Sequence, residues 1–491
     1  ELFSGRPDWQ KLLETPEPKL TSEEQAFVDN QLAELLDMLD DFKIVQQDRD
    51  LPKPVWDFLR KEHFFAMIIG KEYGGLDFSP AANSYIVSRI ASRSISAAVS
   101  VMVPNSLGPG ELLTHYGTDE QKNYWLPRLA DGTDIPCFAL TGPEAGSDAG
   151  AIPDEGIICK GEHEGKEVVG IRLNWSKRYI TLAPSATVLG LAFKLYDPEN
   201  LLGDKKELGI TCALIPTSHK GVVTGDRHFP LNQAFLNGTT YGEDVFIPLE
   251  WIIGGADYAG KGWRMLVECL SAGRGISLPA LAAASGHVTQ RMTGAYAYVR
   301  QQFGLPIGVF EGVQSAMGKI GGTNYTLESM RRLTVSALCQ GKSPSVVTAM
   351  TKYHMTEMGR EVIEHAMDIH AGKGIQLGPH NYLGHNYMAT PVSITVEGAN
   401  ILTRNLMIFG QGATRCHPYV LEEMKAASNT DEEQGLMAFD GLLMKHVGFA
   451  VSNVFSSLWM GLTSSRFNET PVSGETGRYY QHLTRFSRGL A

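Results

Sequence analysis

Hydrophobic spacing divides the chain into two long helical stretches around one stretch of alternation. Over 21–42, Leu32, Leu35, Leu36 and Leu39 recur at helical intervals, and Thr21 with Glu24 forms a capping-box start, so an amphipathic helix is predicted. Helical spacing continues to about residue 130, broken at Gly74-Gly75 and over 104–110, where proline and glycine gather. From about 133 to 255 the pattern changes to short β-rich runs at 157–160, 168–171, 187–196 and 209–216, divided by glycine and charged turns. Helical periodicity returns beyond Gly262, through 263–270, 279–303, 314–339 and 346–370, segments long enough to build a bundle. After about 415 a charged linker over 422–434 precedes an apolar run over 436–462, interrupted by Asp440, Lys445, His446 and Asn453. That run is no clean membrane span; it reads as a helix packed on the rest of the protein, or as an interfacial membrane helix or partner-docking face. No repeat of solenoid period is evident.

The predicted fold class is α+β and mostly α: an N-terminal helical domain (1–132), a small central β domain of barrel or sandwich type (133–258), a helical bundle (259–414) and a helical extension (415–491). With 491 residues, 43% of them hydrophobic, the chain is long enough for about three domains. A net charge of −11 gives no general attraction to nucleic acid or an anionic surface, so a polyanionic ligand needs a few local donors. Six cysteines, at 137, 159, 212, 269, 339 and 416, include no C-x-x-C pair, which argues against a zinc ribbon or a redox dithiol and fits reduced thiols in a cytoplasmic compartment. The sequence starts at Glu1 without a signal-peptide pattern, which predicts a fragment or processed form.

Glu397 carries the most chemical information. It follows the apolar run Ile394-Thr395-Val396, read as extended, and precedes Gly398. Val396 and Ile394 would exclude water on one side, Gly398 lets backbone amides approach a ligand, and Asn400 would cap a helix over 401–409. Such a carboxylate is placed to take a proton; its other reading is a strand end that caps a helix. Apolar enclosure would raise its pKa and nearby helix amides would lower it. Over 138–148, Thr141 and Ser147 stand six residues apart in a glycine-punctuated loop, which reads either as a turn-rich connection or as a wrap for phosphates or a polar ring edge. Tyr179 and Thr181, two apart in a strand pattern, would share a face, the aromatic along a flat cofactor and the hydroxyl toward a ring nitrogen.

Residues 141–148, Tyr179-Ile180-Thr181, Arg300-Gln301-Gln302-Phe303-Gly304, Ala371-Gly372-Lys373-Gly374 and Val396-Glu397-Gly398 together resemble, in order and approximate spacing, the acyl-CoA dehydrogenase family, over most of the chain to about 412. The strand 243–248 leading to Gly254 is similar to that family's exit from its β domain. The C-terminal part resembles the enlarged bacterial fatty acyl-CoA dehydrogenases of β-oxidation. The resemblance implies a C-terminal four-helix bundle, FAD held between β domain and bundle and across a subunit interface, and hence a homodimer. It implies that Phe138, Leu140, Thr141 and Ser147 touch flavin or its pyrophosphate, that Ser147 also meets substrate, that Tyr179 lies beside the isoalloxazine and that Thr181 bonds near N5. Arg300, Phe303 and Asp368 to Gly372 would reach the partner subunit's FAD, Gly398 would meet substrate and Asn400 the cofactor.

The implied activity is FAD-dependent α,β-dehydrogenation of fatty acyl-CoA, of long or medium chain, to trans-2-enoyl-CoA, with electron-transfer flavoprotein as acceptor. Glu397 would take the α-proton and flavin N5 the β-hydride. Relatives carry the base either just before the helix arginine or in the later carboxylate-glycine segment. Here Gly273 precedes Arg274, which leaves Glu397. Arg274 would lie beside base and substrate, or serve as an ion-pair partner. Departures from the family pattern are Gly142 for glutamate, Tyr179 for tryptophan, Ala371 for the first glycine of a pair, and Glu311 for glutamine, with Gln314 the replacement donor. The alternatives are an acyl-CoA oxidase using O2 and a non-catalytic flavoprotein scaffold. His365, His370, His380 and His385 show no fixed ligand spacing, so no metal is predicted. The run from Gly372 to Gly378 does not match a dinucleotide fingerprint.

Overall fold

The computed structural model describes residues 4–106 and 108–491, the side chains of 270–272 excepted; Leu107, inside the predicted break at 104–110, lies outside the described residues. The chain divides into two compact units, Pro18–Ala399 and the pair of segments Glu1–Glu17 and Asn400–Ala491.

The larger unit opens with α1 (Ser22–Phe27), whose capping box forms as its spacing predicts. Thr21 Oγ1 accepts from the Glu24 N–H at 3.2 Å, and Glu24 accepts from the Thr21 N–H at 2.7 Å. The same carboxylate accepts from the Ser79 N–H at 2.7 Å, which ties α1 to the start of α2 (Pro80–Ala91). The single helix expected over 21–42 is instead segmented, because a π-helical turn (Val28–Leu32) intervenes and Leu39 adopts an extended backbone that stops the run. Its apolar stripe survives: Leu32, Leu35 and Leu39 are buried. Helices α3 (Pro109–Tyr116) and α4 (Asp119–Ala130) follow. Gln121 of α4 donates to the Glu250 and Ile252 carbonyls at 2.8 and 2.7 Å and accepts from the Gly254 N–H at 2.9 Å, clamping the chain where it leaves the β region.

Seven strands, β1 (Pro136–Ala139), β2 (Glu155–His163), β3 (Lys166–Thr181), β4 (Val188–Tyr196), β5 (Glu207–Pro216), β6 (Val222–His228) and β7 (Asn237–Pro248), join edge to edge in one sheet. β4 is central: it pairs parallel with β1 and with the start of β2, and antiparallel with β5. A bulge in the β3–β7 ladder between Lys177 and Ile180 inserts an extra residue into β3.

The bundle is formed by α5 (Gly262–Val299), α6 (Glu311–Cys339), α7 (Ser345–His370) and α8 (Gly384–Thr395). The two helices expected over 263–270 and 279–303 are one, which runs through Pro279 and stops at Val299. It stops there because Arg300 turns extended into a two-stranded hairpin, Gln301-Gln302 against Leu305-Pro306, whose central residues Phe303 and Gly304 both have positive φ, 55° and 77°. α5 is the spine of the unit. Leu278 and Leu281 join a core with Leu35, Phe64 and Ile86 of the N-terminal helices and Leu173, Leu191 and Phe193 of the sheet, while Ala283 packs with Ile320, Leu327, Met355 and Ile363 of α6 and α7. Among the described residues α5 alone is long and apolar enough to cross a membrane, and it is this buried core helix.

In the smaller unit α9 (Val420–Ala427), α10 (Glu432–Leu462) and α11 (Gly474–Leu490) are helical, so the charged linker expected over 422–434 shrinks to Ser428–Asp431. Its charges serve helices: Lys425 pairs with Glu422 at 2.7 Å, and Asp431 caps α10 by accepting from the Gln434 N–H at 3.1 Å. Trp9 Nε1 donates to Thr484 Oγ1 at 2.9 Å, anchoring the N-terminal segment on α11. α10 is less packed than expected: Gly435 and Asn453 are its buried residues, and Met444, Val454, Phe455, Leu458 and Trp459 are exposed.

Candidate active site

Glu397 does not end a strand. The β-branched run Ile394-Thr395-Val396 looks extended in sequence, but it is the tail of α8, continued by the Val396 N–H donating to the Val392 carbonyl at 3.1 Å. The helix then breaks into a turn in which Glu397 (φ 53°) and Gly398 (φ 88°) are both left-handed. For Gly398 this costs nothing sterically, whereas Glu397 is held there against about 1–2 kcal/mol. Although the residue as a whole is partly exposed, both carboxylate oxygens are shielded from solvent, and neither accepts a hydrogen bond from the described residues. Burial therefore lifts its pKa to about 7, against the downward pull of Arg274 and Lys352. Desolvation, not helix amides, dominates the balance that the sequence left open. The helix expected to follow starts at Asn400, as Asn400–Leu402, and a π-helical stretch (Thr403–Gln411) continues it.

Arg274, on α5, is buried, and its pKa is pushed down by burial and raised again by Glu397. Lys352, on α7, was not among the residues singled out in the sequence. It is fully buried and donates through Nζ to the Gly398 carbonyl at 2.8 Å and the Ile394 carbonyl at 3.3 Å, with a pKa brought down by burial to about 8. A signal existed: Lys352 falls on the same helical face as Ala349, Met355, Thr356 and Gly359, all buried. Gly273 has no room for a side chain, since a Cβ there would meet the Ser106 carbonyl oxygen at 2.6 Å.

The 138–148 loop is built against β3. Lys177, fully buried, forms an ion pair with buried Asp154 and donates to the Leu140 carbonyl at 2.8 Å. The Arg178 N–H donates to the Thr141 carbonyl at 3.1 Å, and the Arg178 side chain to the Pro143 carbonyl at 3.1 Å. Three successive anchors thus hold Leu140, Thr141 and Pro143 on the segment that carries Tyr179 and Thr181. Burial lowers the Lys177 pKa while Asp154 raises it. Tyr179 is exposed and Thr181 partly buried on either side of buried Ile180, the alternation expected of a shared face, while the bulge beside them gives Tyr179 a φ of 63° and its ring lies against Arg178 and His228. Thr181 is partly buried, and its Oγ1 accepts from Asn237 Nδ2 at 3.2 Å. Phe138 packs over Gly190, where a Cβ would sit 2.5 Å from the ring; Leu140 and Thr141 are half-buried and Ser147 is exposed.

The remaining predicted residues are surface features. Arg300 and Phe303 lie on the exposed hairpin after α5, with Phe303 94% exposed and φ 55°. Gln314, in the first turn of α6 with Glu311, is exposed and donates to the Val309 carbonyl at 3.4 Å. Asp368 and Gly372 are exposed at the end of α7. Between them Ala371 has φ 48° and ψ −127°, a conformation natural only to glycine. Asn381 holds the next turn through bonds to the Lys373, Gly374 and Gln376 carbonyls at 3.3, 2.7 and 3.0 Å. His370 stacks on Tyr296 at 4.2 Å and meets the Tyr382 hydroxyl at 2.6 Å, and His385 pairs with Asp41 at 2.6 Å. Among the described residues no group of three or more His, Cys, Asp or Glu is placed to hold a metal.

Comparison with known proteins agrees with this architecture. Family models match for the acyl-CoA dehydrogenase N-terminal domain over 17–133, middle domain over 137–243 and C-terminal domain over 260–409, and for the acyl-CoA dehydrogenase C-terminal, bacterial type, over 414–491. The chain is 66% identical over 88 residues to Protein HemX of Proteus mirabilis, covering 18% of this chain and 52% of that protein. It is 27% identical over 380 residues to the probable acyl-CoA dehydrogenase FadE10 of Mycobacterium tuberculosis, covering 77% of this chain and 56% of the relative. The chain thus spans about half the length of these curated relatives. Among solved structures, butyryl-CoA dehydrogenase from Megasphaera elsdenii superposes with a TM-score of 0.70 at 20% identity, over 82% of this chain and 100% of that one. With three consecutive domain models matched along its length and the corresponding fold, the chain belongs to the acyl-CoA dehydrogenase family.

Proposed function

We propose that this protein is an FAD-dependent acyl-CoA dehydrogenase that converts a fatty acyl-CoA to the trans-2-enoyl-CoA in β-oxidation, with Glu397 as the base. The observation that carries this reading is the Glu397 carboxylate, sealed from water, without a hydrogen-bond partner among the described residues, and poised at a pKa of about 7. A carboxylate far below neutrality would be a weak base, and one far above would be protonated; near 7 it is both ionised and basic. The residues present fit FAD: the orphaned buried carboxylate lacks a reaction partner, and an exposed aromatic, Tyr179, is held in a left-handed backbone beside the loop anchored by Lys177 and Arg178. Thr141, Ser147, Phe138, Leu140, Tyr179 and Thr181 would hold it, and Gln314, Arg300, Phe303, Asp368 and Gly372 would complete its binding.

Bound FAD supplies the acceptor for the β-hydrogen, which leaves as hydride. The chain's own residues do the rest. Glu397 removes the proton from C2 of the thioester. Its backbone N–H, in the turn kept open by Gly398, donates to the thioester oxygen and stabilises the negative charge that develops there. Arg274 lies beside base and substrate, Ser147 meets the substrate side, and the shielding of the carboxylate oxygens keeps water from competing for the proton. Anaerobic mixing with acyl-CoAs of graded length tests the reading: bleaching of the flavin by medium or long chains is expected, and no bleaching with any length overturns it.

Electron-transfer flavoprotein is the proposed acceptor, and fast reoxidation by air with no response to that acceptor would mark an oxidase instead. A homodimer is proposed from the exposed apolar strip Tyr298, Val299 and Phe303 beside Arg300; sedimentation as a monomer at micromolar concentration would remove it. We further propose a cytoplasmic protein that touches the inner face of the membrane through α10. Its exposed Met444, Phe455, Trp459 and Leu462 lie in a segment, 441–491, where Lys445, Arg466, Arg478, Arg485 and Arg488 outnumber Glu469 and Glu475. Failure to co-sediment with liposomes of either charge would end that proposal.

A further inference from the structure

We infer that Lys352 is a positioning residue for the proposed base: it fastens the left-handed Glu397-Gly398 turn from within the bundle and places a fixed positive charge behind the carboxylate. This rests on the assignment of Glu397 as base.

A fully buried lysine is rare and requires strong compensation. Here Nζ, on α7, reaches across to α8 and its exit, and the two carbonyls it grips, Ile394 at 3.3 Å and Gly398 at 2.8 Å, bracket Glu397 on both sides. Bridging the last turn of a helix to a point four residues on fixes the path between them. Glu397 adopts φ 53° in that path, a conformation it would leave readily if the ends were free. The same clamp turns the Gly398 carbonyl toward the bundle interior.

The charge matters as well as the bonds. The charged groups that act on Glu397 are Arg274 from α5 and Lys352 from α7, and those that act on Lys352 are Glu397, Arg274 and Glu357. Both cations favour the ionised base, so loss of Lys352 leaves a carboxylate that holds its proton to higher pH. Arg274 and Lys352 repel each other, which is one reason burial and charge together bring Lys352 down to about 8.

Single-turnover flavin reduction with saturating acyl-CoA, recorded from pH 6 to 9, separates the roles. In Lys352→Met the acid limb moves up by about one pH unit and the plateau rate falls about tenfold. Lys352→Gln, which keeps a donor but no charge, moves the limb equally with a smaller fall in plateau. Lys352→Arg restores the limb. FAD content and melting temperature are measured on each protein, and if the methionine variant does not fold with FAD, the glutamine variant decides by the same limb. An unshifted limb in folded, FAD-replete Lys352→Met or Lys352→Gln overturns the inference. Glu397→Gln runs alongside: if it abolishes reduction while the Lys352 variants behave as wild type, only the role of Lys352 fails; if it reduces flavin normally, the base assignment itself fails.

Discussion

Glu397→Gln should make the folded protein more stable in alkaline solution, with the gain shrinking as pH falls. The side chain's pKa is raised from 4.5 to about 7 by burial. A carboxyl whose folded pKa is raised favours folding most below its unfolded pKa, where it is protonated in both states. That advantage is lost progressively as pH rises from about 4.5 and is fully gone above about 7. The difference of about 2.5 units corresponds to about 3 kcal/mol of strain carried by the ionised wild type above pH 8. A neutral amide removes the pH-dependent part. It adds a constant offset, because a buried amide has its own unmet hydrogen bonds, but that offset cancels when two pH values are compared. Between pH 6.0 and 8.5 the advantage of the variant over wild type should grow by about 1.4 kcal/mol. Chemical denaturation of the FAD-loaded proteins at both pH values, followed by flavin and tryptophan fluorescence, measures it. A difference that is constant with pH, or that grows toward acid, would mean that Glu397 is not the buried, raised carboxyl described here.

Other consequences concern the support around the site. Ala371→Gly should raise the melting temperature, since relief of a glycine-only conformation, of order 1–3 kcal/mol, outweighs the 0.5–1 kcal/mol or so of added chain freedom; a fall on thermal scanning would contradict the strain. Lys177→Met leaves Asp154 charged and buried and frees the Leu140 carbonyl, so it should cost about 3–5 kcal/mol and lower FAD content, read by denaturation and by the flavin-to-protein absorbance ratio. Glu397→Gly combined with Gly273→Glu should not restore flavin reduction, because the new Cβ would press on the Ser106 carbonyl; recovery of activity would show room that the geometry denies.

Long-period features were legible in the sequence and local backbone exceptions were not. The Leu32, Leu35 and Leu39 stripe, the Thr21 and Glu24 cap, the β-rich interval and the bundle helices follow from spacing that tertiary packing reinforces. The departures lie where a few residues outweigh periodicity. Ile394-Thr395-Val396 has strand composition but is committed to a helix begun ten residues earlier. Tyr179 lies at a bulge that no alternation reveals, and α10 keeps helical spacing without burying the face that spacing suggests. At the site, the carboxylate was visible as a residue type beside glycine. Its poise was not, because a pKa depends on what surrounds the group in space. Lys352 lies 45 positions before Glu397 in the chain, and only folding brings its ammonium to the Gly398 carbonyl.

The most direct test is rapid anaerobic mixing of the FAD-loaded protein with a fatty acyl-CoA, wild type beside Glu397→Gln. A role for Glu397 as the base predicts rapid bleaching of the wild-type flavin, and a variant that retains FAD and binds acyl-CoA yet reduces its flavin at least about 10²-fold more slowly. Bleaching of the variant at close to the wild-type rate would contradict it.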